Sequence, residues 1–199
     1  MLPVGFLYIA IALRLIGGFA YLRATIRGVA KPNPVSWLIW GLTPMITFLA
    51  QLQAGVGAEA FVTLAFATMT MLVFVAAMRK NPTSWKLEGL NLVCITIALC
   101  GLLAWILTDD PVFAISLLIT ADLASTLPTL VKSLRSPATE YPTSYLLSAI
   151  SMAITLLVIT DWRFVAVAYP VYALTTNLLI FMLTKRSKPK RRHSKHRRA

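Results

Sequence analysis

The chain has 199 residues, of which 58% are hydrophobic and only 13% charged, with a mean hydropathy of +0.74 and a formal net charge of +12. So few charges over this length exclude a soluble globular domain and point to membrane spans. The basic excess falls in loops and tail, where it reports topology, so no specific nucleic-acid partner is expected.

Seven apolar runs are long enough to cross a bilayer, at 3–22, 35–53, 58–78, 88–108, 111–134, 143–160 and 164–184. Of the 19 basic residues, only Arg163 falls beyond the even-numbered spans and only Arg14 lies deep inside a span. The loops at the ends of spans one, three and five, together with the tail, hold the rest, against Glu59, Asp109, Asp110 and Asp161 on the opposite side. This asymmetry places the N-terminus outside and the C-terminus in the cytosol of a plasma or inner membrane. Met1-Leu2-Pro3 supplies no basic leader, so no cleavable signal peptide is expected.

Span one leads into Lys31-Pro32-Asn33-Pro34, where each proline disfavours helix in the residue before it. Ser36 is the expected cap of span two. Trp37, Trp40 and Trp85 are placed at the inner headgroup level, and Trp105 and Trp162 at the outer one. Pro44 interrupts span two and is expected to bend it. Cys94 and Cys100 lie on different faces of span four and cannot pair with each other.

Span five opens the stretch that repeats the beginning of the chain. Leu22, Arg27, Ala30, Pro34, Ser36 and Leu38 match Leu130, Arg135, Ala138, Pro142, Ser144 and Leu146, all 108 residues apart, and Trp37 stands opposite Tyr145. Thr43 with Ser151, Thr47 with Thr155 and Thr68 with Thr176 continue the offset as hydroxyl pairs. A gapless repeat of this length means two copies of one structural unit. The expected fold is an all-α membrane protein of seven transmembrane helices in a 3-1-3 arrangement. Residues 1–80 form one triple-helix bundle, 81–109 a linker helix, 110–184 a second bundle and 185–199 a disordered basic tail. The linker makes the two bundles parallel, related by a pseudo-twofold axis along the membrane normal.

Within the second copy, Pro128-Thr129, Lys132-Ser133 and Thr139-Glu140-Tyr141 follow one another at the spacing of a known loop signature. The chain thereby resembles the SWEET and PQ-loop transporters over residues 1 to 184. The resemblance implies a duplicated three-helix unit and a small-molecule solute carried by alternating access. It does not extend to the asparagine and tryptophan positions of the family's sugar sites, so it implies no sugar.

Two charges stand inside spans. Arg14 and Asp122 each lie about eleven residues into a helix, near mid-bilayer at 1.5 Å per residue. They are 108 residues apart and are therefore repeat mates of opposite sign. A charge at that depth costs at least ~2.5–3.5 kcal/mol and should face a partner or water. Three readings stay open. The two form an ion pair that locks the halves, or Arg14 binds a carboxylate or phosphate of the solute, or Asp122 carries a proton coupled to transport. With Thr68, Thr176 and Asn177 they make up the expected solute site, for an anionic or zwitterionic solute. A receptor or a structural assembly factor on the same fold is the alternative function.

No intramembrane histidine, His-Glu-x-x-His or base beside a serine is present, so enzymatic activity, a cofactor and a metal site are not expected. The tail from Lys185 to Ala199 is expected to bind anionic lipid, each basic residue near the surface contributing about 1 kcal/mol. Oligomeric state is not legible.

Overall fold

A computed structural model describes residues 1–81, 89–108 and 110–185, without the side chains of 90, 91, 94, 98, 101, 102, 104 and 105. A helix occupies each of the seven apolar runs: α1 Phe6–Ile26, α2 Pro34–Gln53, α3 Ala60–Lys80, α4 Leu90–Thr108, α5 Pro111–Arg135, α6 Pro142–Val158 and α7 Phe164–Lys185. A 3-10 turn, Pro137–Thr139, precedes α6. No strand occurs among the described residues. Helices α1, α2, α3, α5 and α7 are long and apolar enough to cross a membrane, and α6 is a shorter apolar helix. This is the architecture of an integral membrane protein in a lipid bilayer.

Local chemistry sets the helix ends. Helices α2, α5 and α6 all begin with proline, whose missing N–H belongs to an unpaired group of the first turn in any case. Asn33 caps α2 by accepting the Val35 N–H at 3.1 Å, and Asp110 caps α5 by accepting from Val112 and Phe113. Ser36 is therefore not the cap: Pro34 starts the helix early and leaves Ser36 buried in its first turn. Helix α1 runs past Arg23 and stops at Gly28, whose φ of 72° suits a residue without Cβ.

Each of α3 and α7 packs between two neighbours, α3 against α1 and α2, α7 against α5 and α6. Between these groups α1 packs on α6 and α2 on α5. The pattern is unchanged when α1, α2 and α3 are exchanged for α5, α6 and α7. Helix α4 packs on α5 and, less extensively, on α2. Close approach of α1 to α6 depends on Gly17, where a Cβ would stand 3.2 Å from the Ser144 carbonyl oxygen.

The burial pattern records the duplication with one slip. Leu7, Ala10, Arg14, Gly17, Gly18, Tyr21 and Thr25 of α1 are buried, and so are the residues 108 further on, Ile115, Leu118, Asp122, Ser125, Thr126, Thr129 and Ser133. In the third helices the match is at 107. Val62, Thr63, Phe66, Thr70, Val73 and Ala77 correspond to Tyr169, Pro170, Ala173, Asn177, Ile180 and Thr184. The connection 159–163 is one residue shorter than 54–59, and a one-residue change turns a helix face by about 100°. Thr70, and not Thr68, therefore shares the interior face with its repeat mate, Asn177.

The expected inner tryptophan belt is corrected in part. Trp37 and Trp40 are 4% and 5% exposed and sit inside the bundle, because the first turns of α2 are enclosed by α3, α5 and α7. Trp162 is exposed and Cys100 is a free exposed thiol. Trp85, the side chains of Trp105 and Cys94, and the tail beyond Lys185 lie outside the described residues.

Candidate functional site

The interior between the two groups of helices holds the polar residues Arg14 and Asp122, flanked by two hydrophobic clusters. On one side the cluster of Leu7, Ala10, Val62, Phe66, Met152, Val158, Tyr169 and Ala173 fills the space. Towards the opposite end, which carries the loops 27–33 and 136–141, aromatic rings take over. Tyr21 lies 4.4 Å from Trp37 and 5.9 Å from Tyr145, and Trp37 lies 5.5 Å from Trp40, centroid to centroid. Offset and edge contacts at these separations are favourable ring geometries.

Between the two layers lies a cavity lined by Arg14, Trp37, Trp40, Phe66, Thr70, Asp122, Ser144, Tyr145, Tyr172, Ala173, Thr176, Asn177 and Ile180. The space open to the centre of a water molecule is about 20 Å³, on the order of one water. A larger solute fits only after side chains or helices move.

Four of the five expected site residues, Arg14, Asp122, Thr176 and Asn177, line this cavity. Thr68 does not: it is exposed on the outer face of α3 and donates to its own Leu64 carbonyl at 2.9 Å. The slip described above explains this, and Thr70 occupies the interior position. The Thr70 hydroxyl stands 2.7 Å from the Trp40 carbonyl oxygen, which Pro44 deprives of its helical N–H partner. Asn177 lines the cavity, and its Nδ2 donates to Ala173 O at 2.7 Å within its own helix.

Arg14 and Asp122 form no ion pair with each other, which corrects the first of the three readings. Arg14 donates from Nη1 to Ser148 Oγ and from Nη2 to Phe66 O at 3.5 Å, and its guanidinium carbon lies 3.7 Å over the Phe66 ring. Its Nε is buried with no partner. Asp122 bonds the Thr43 hydroxyl, and Tyr172 lines the same cavity. Tyr172 in turn stands 3.3 Å from Thr126 Oγ1, which accepts from Trp40 Nε1 at 3.1 Å. The spacing follows from packing: α1 faces α6 and α5 faces α2, so each charge meets the second helix of the other half.

Below the aromatic layer Glu140 is buried and collects three donors. Tyr21 Oη donates to Oε2 at 2.7 Å, Tyr145 Oη to the same oxygen at 2.8 Å, and Lys132 Nζ to Oε1 at 2.7 Å. Lys132 Nζ also donates to the Lys31 carbonyl, and Lys31 N–H to Thr139 O at 3.0 Å. The knot joins residues from both halves of the chain. Of the remaining loop-motif residues, Pro34 and Pro142 start helices, Ser36, Ser144 and Tyr145 are buried, Pro128 lies inside α5, and Arg27 and Arg135 are exposed.

No family model, curated protein or solved structure matches this chain. The functional reading therefore rests on the chain's own chemistry. Sequence reasoning missed Thr70, Ser148 and Tyr172. Ser148 and Tyr172 lie one helical turn from Ser151 and Thr176, so helical wheels of spans six and seven centred on those residues could have found them.

Proposed function

We propose that this chain is a small-solute transporter, similar in plan to SWEET and PQ-loop proteins, that carries an anionic or zwitterionic solute by alternating access. The observation that carries the reading is the buried guanidinium of Arg14. It lines the cavity with an orphaned Nε and faces no carboxylate of the protein. A cation in a low-dielectric interior is stabilised by an arriving oxyanion, and the guanidinium fork suits a carboxylate or phosphate. Asp122 in the same cavity supplies the opposite charge for a solute that carries both.

The exchange pattern of helix neighbours supports two parallel triple-helix bundles, α1–α3 and α5–α7, in a 3-1-3 arrangement with α4 as the linker. In this reading all seven helices cross the bilayer, with the N-terminus outside, the C-terminus in the cytosol and the basic tail on anionic lipid. The cavity is lined from both bundles, and its water-sized free space suits a stage of the transport cycle in which no solute is bound. Rocking of one bundle against the other opens it alternately.

Asp122 is the proton carrier of the cycle. The Thr43 hydroxyl lies between Asp122 Oδ1 and the Ile39 carbonyl, which is 2.8 Å away. A hydroxyl has one proton to donate. When Ile39 receives it, the bond to Thr43 requires a protonated carboxyl at Asp122. Loss of that proton leaves a carboxylate that competes for the Thr43 hydroxyl and rearranges the α2–α5 contact.

The test is uptake into proteoliposomes by the full chain, with labelled carboxylates and amino acids beside a neutral sugar. Entry of the charged solutes, lost in Arg14→Gln, is the expected result. Entry of the sugar alone overturns the solute class, and saturable binding without flux assigns the chain to receptors instead.

A further inference from the structure

At the end of the molecule that carries the loop 27–33, the two halves differ in charge. In the second half Glu140 neutralises Lys132. The equivalent position in the first half, 108 residues earlier, is Pro32. Among the described residues no acid replaces it there, and neither ion pair found among them involves Lys31, Arg79 or Lys80.

Two adjoining depressions occupy this place. A recess of about 330 Å³ is lined by Gly28, Lys31, Pro32 and Lys80 among others, and no acidic residue lines it among the described residues. A groove of about 460 Å³ runs between α1 and α3 along Leu22, Ile26, Leu72 and Val75 to Arg79 and Lys80. Lys80 borders both. Ile26, Leu72 and Val75 are 57%, 41% and 39% exposed, so the lane is apolar surface open to the bilayer.

The geometry points to a binding site for one anionic phospholipid, its phosphate between Lys31 and Lys80 and one acyl chain in the lane between α1 and α3. Charge complementarity selects the headgroup, because every charged residue lining the recess and the groove, among the described residues, is basic. The lane selects a lipid over free phosphate, because a phosphate ion leaves it empty of any partner. Lys80 reaches the headgroup while its stem lies along the helix surface, with Cε near Gly28. The site is separate from the basic tail and does not depend on the transport reading; it requires only that the chain sits in a bilayer.

Native mass spectrometry of the full-length, tail-bearing protein tests it, with phosphatidylglycerol, phosphatidylcholine of the same acyl chains, or inorganic phosphate added in detergent. One phosphatidylglycerol should stay bound, and the doubly substituted Lys31→Gln, Lys80→Gln variant should bind it at least about tenfold more weakly. Leu72→Trp, which fills the lane and keeps every lysine, should weaken it as well. Equal retention by the double variant assigns the lipid to the tail and overturns the site. Equal retention of phosphatidylcholine, or equal occupancy by phosphate alone, overturns the headgroup or the lane respectively.

Discussion

Arg14 and Asp122 line one cavity, yet each is held by a hydroxyl of the other half, Arg14 by Ser148 of α6 and Asp122 by Thr43 of α2. The two charges therefore act through the interfaces between halves, and neither neutralises the other. A solute can meet both without first breaking a bond between them.

Exchanging the charges tests this directly. With no pair to restore, Arg14→Asp combined with Asp122→Arg should be destabilised by about the sum of the single changes, within ~0.5 kcal/mol. Thermal unfolding of the purified variants measures it. A double variant more stable than either single one would mean that the side chains pair after all.

Asp122→Asn separates proton from fold. The carboxamide can still donate to Thr43, so stability should change by no more than about 1 kcal/mol. It has no proton to release. Uptake driven by an imposed pH gradient should stop while solute exchange at equal pH continues. Undiminished pH-driven uptake removes Asp122 from the coupling.

The slip between third helices yields a contrast among neighbours. Thr68→Val alters an exposed outward position and should leave stability within about 0.5 kcal/mol and flux unchanged. Asn177→Ala removes an amide that lines the cavity and should raise the apparent KM for the solute. Ser148→Ala, which strips a partner from a buried guanidinium, should cost about 1–3 kcal/mol. If Thr68→Val impairs uptake while Asn177→Ala leaves it intact, the assigned register of α3 is wrong.

The Glu140 knot lies on the side of the cavity opposite the apolar cluster. Glu140→Ala leaves two buried tyrosine hydroxyls and Lys132 without their acceptor and should destabilise by about 3–5 kcal/mol. Glu140→Gln keeps an oxygen for the tyrosines and should cost less, in melting experiments on both variants. Because the knot joins Tyr21 of α1 to Tyr145 of α6, the milder variant should also open that end more often, seen as faster alkylation of a cysteine placed at Ser144.

Much was legible in the chain because helices in lipid leave a simple record. Each backbone must bond within its own helix, so apolar run length locates the helices, and all seven runs contain one. The 108-residue offset carried over to buried faces in α1 and α5 because no insertion separates those copies. Glu140 and Lys132 both stood in the loop signature, but the third partner, Tyr21, comes from α1 in the other half, and nothing local announces it.

Only the tertiary structure decided the rest. Composition placed Trp37 and Trp40 at the membrane surface, since tryptophan favours that level, and packing by α3, α5 and α7 drew them inside. Equal depth made Arg14 and Asp122 look like a pair, but depth is one coordinate. Their separate hydroxyl partners depend on which helix faces which. A single residue missing from the connection 159–163 shifted the third-helix match to 107, so that Thr68 pairs with the exposed Thr175 and Thr70 with the buried Asn177. Periodicity fixes how a helix is striped, and only contact with its neighbours fixes where the stripe points.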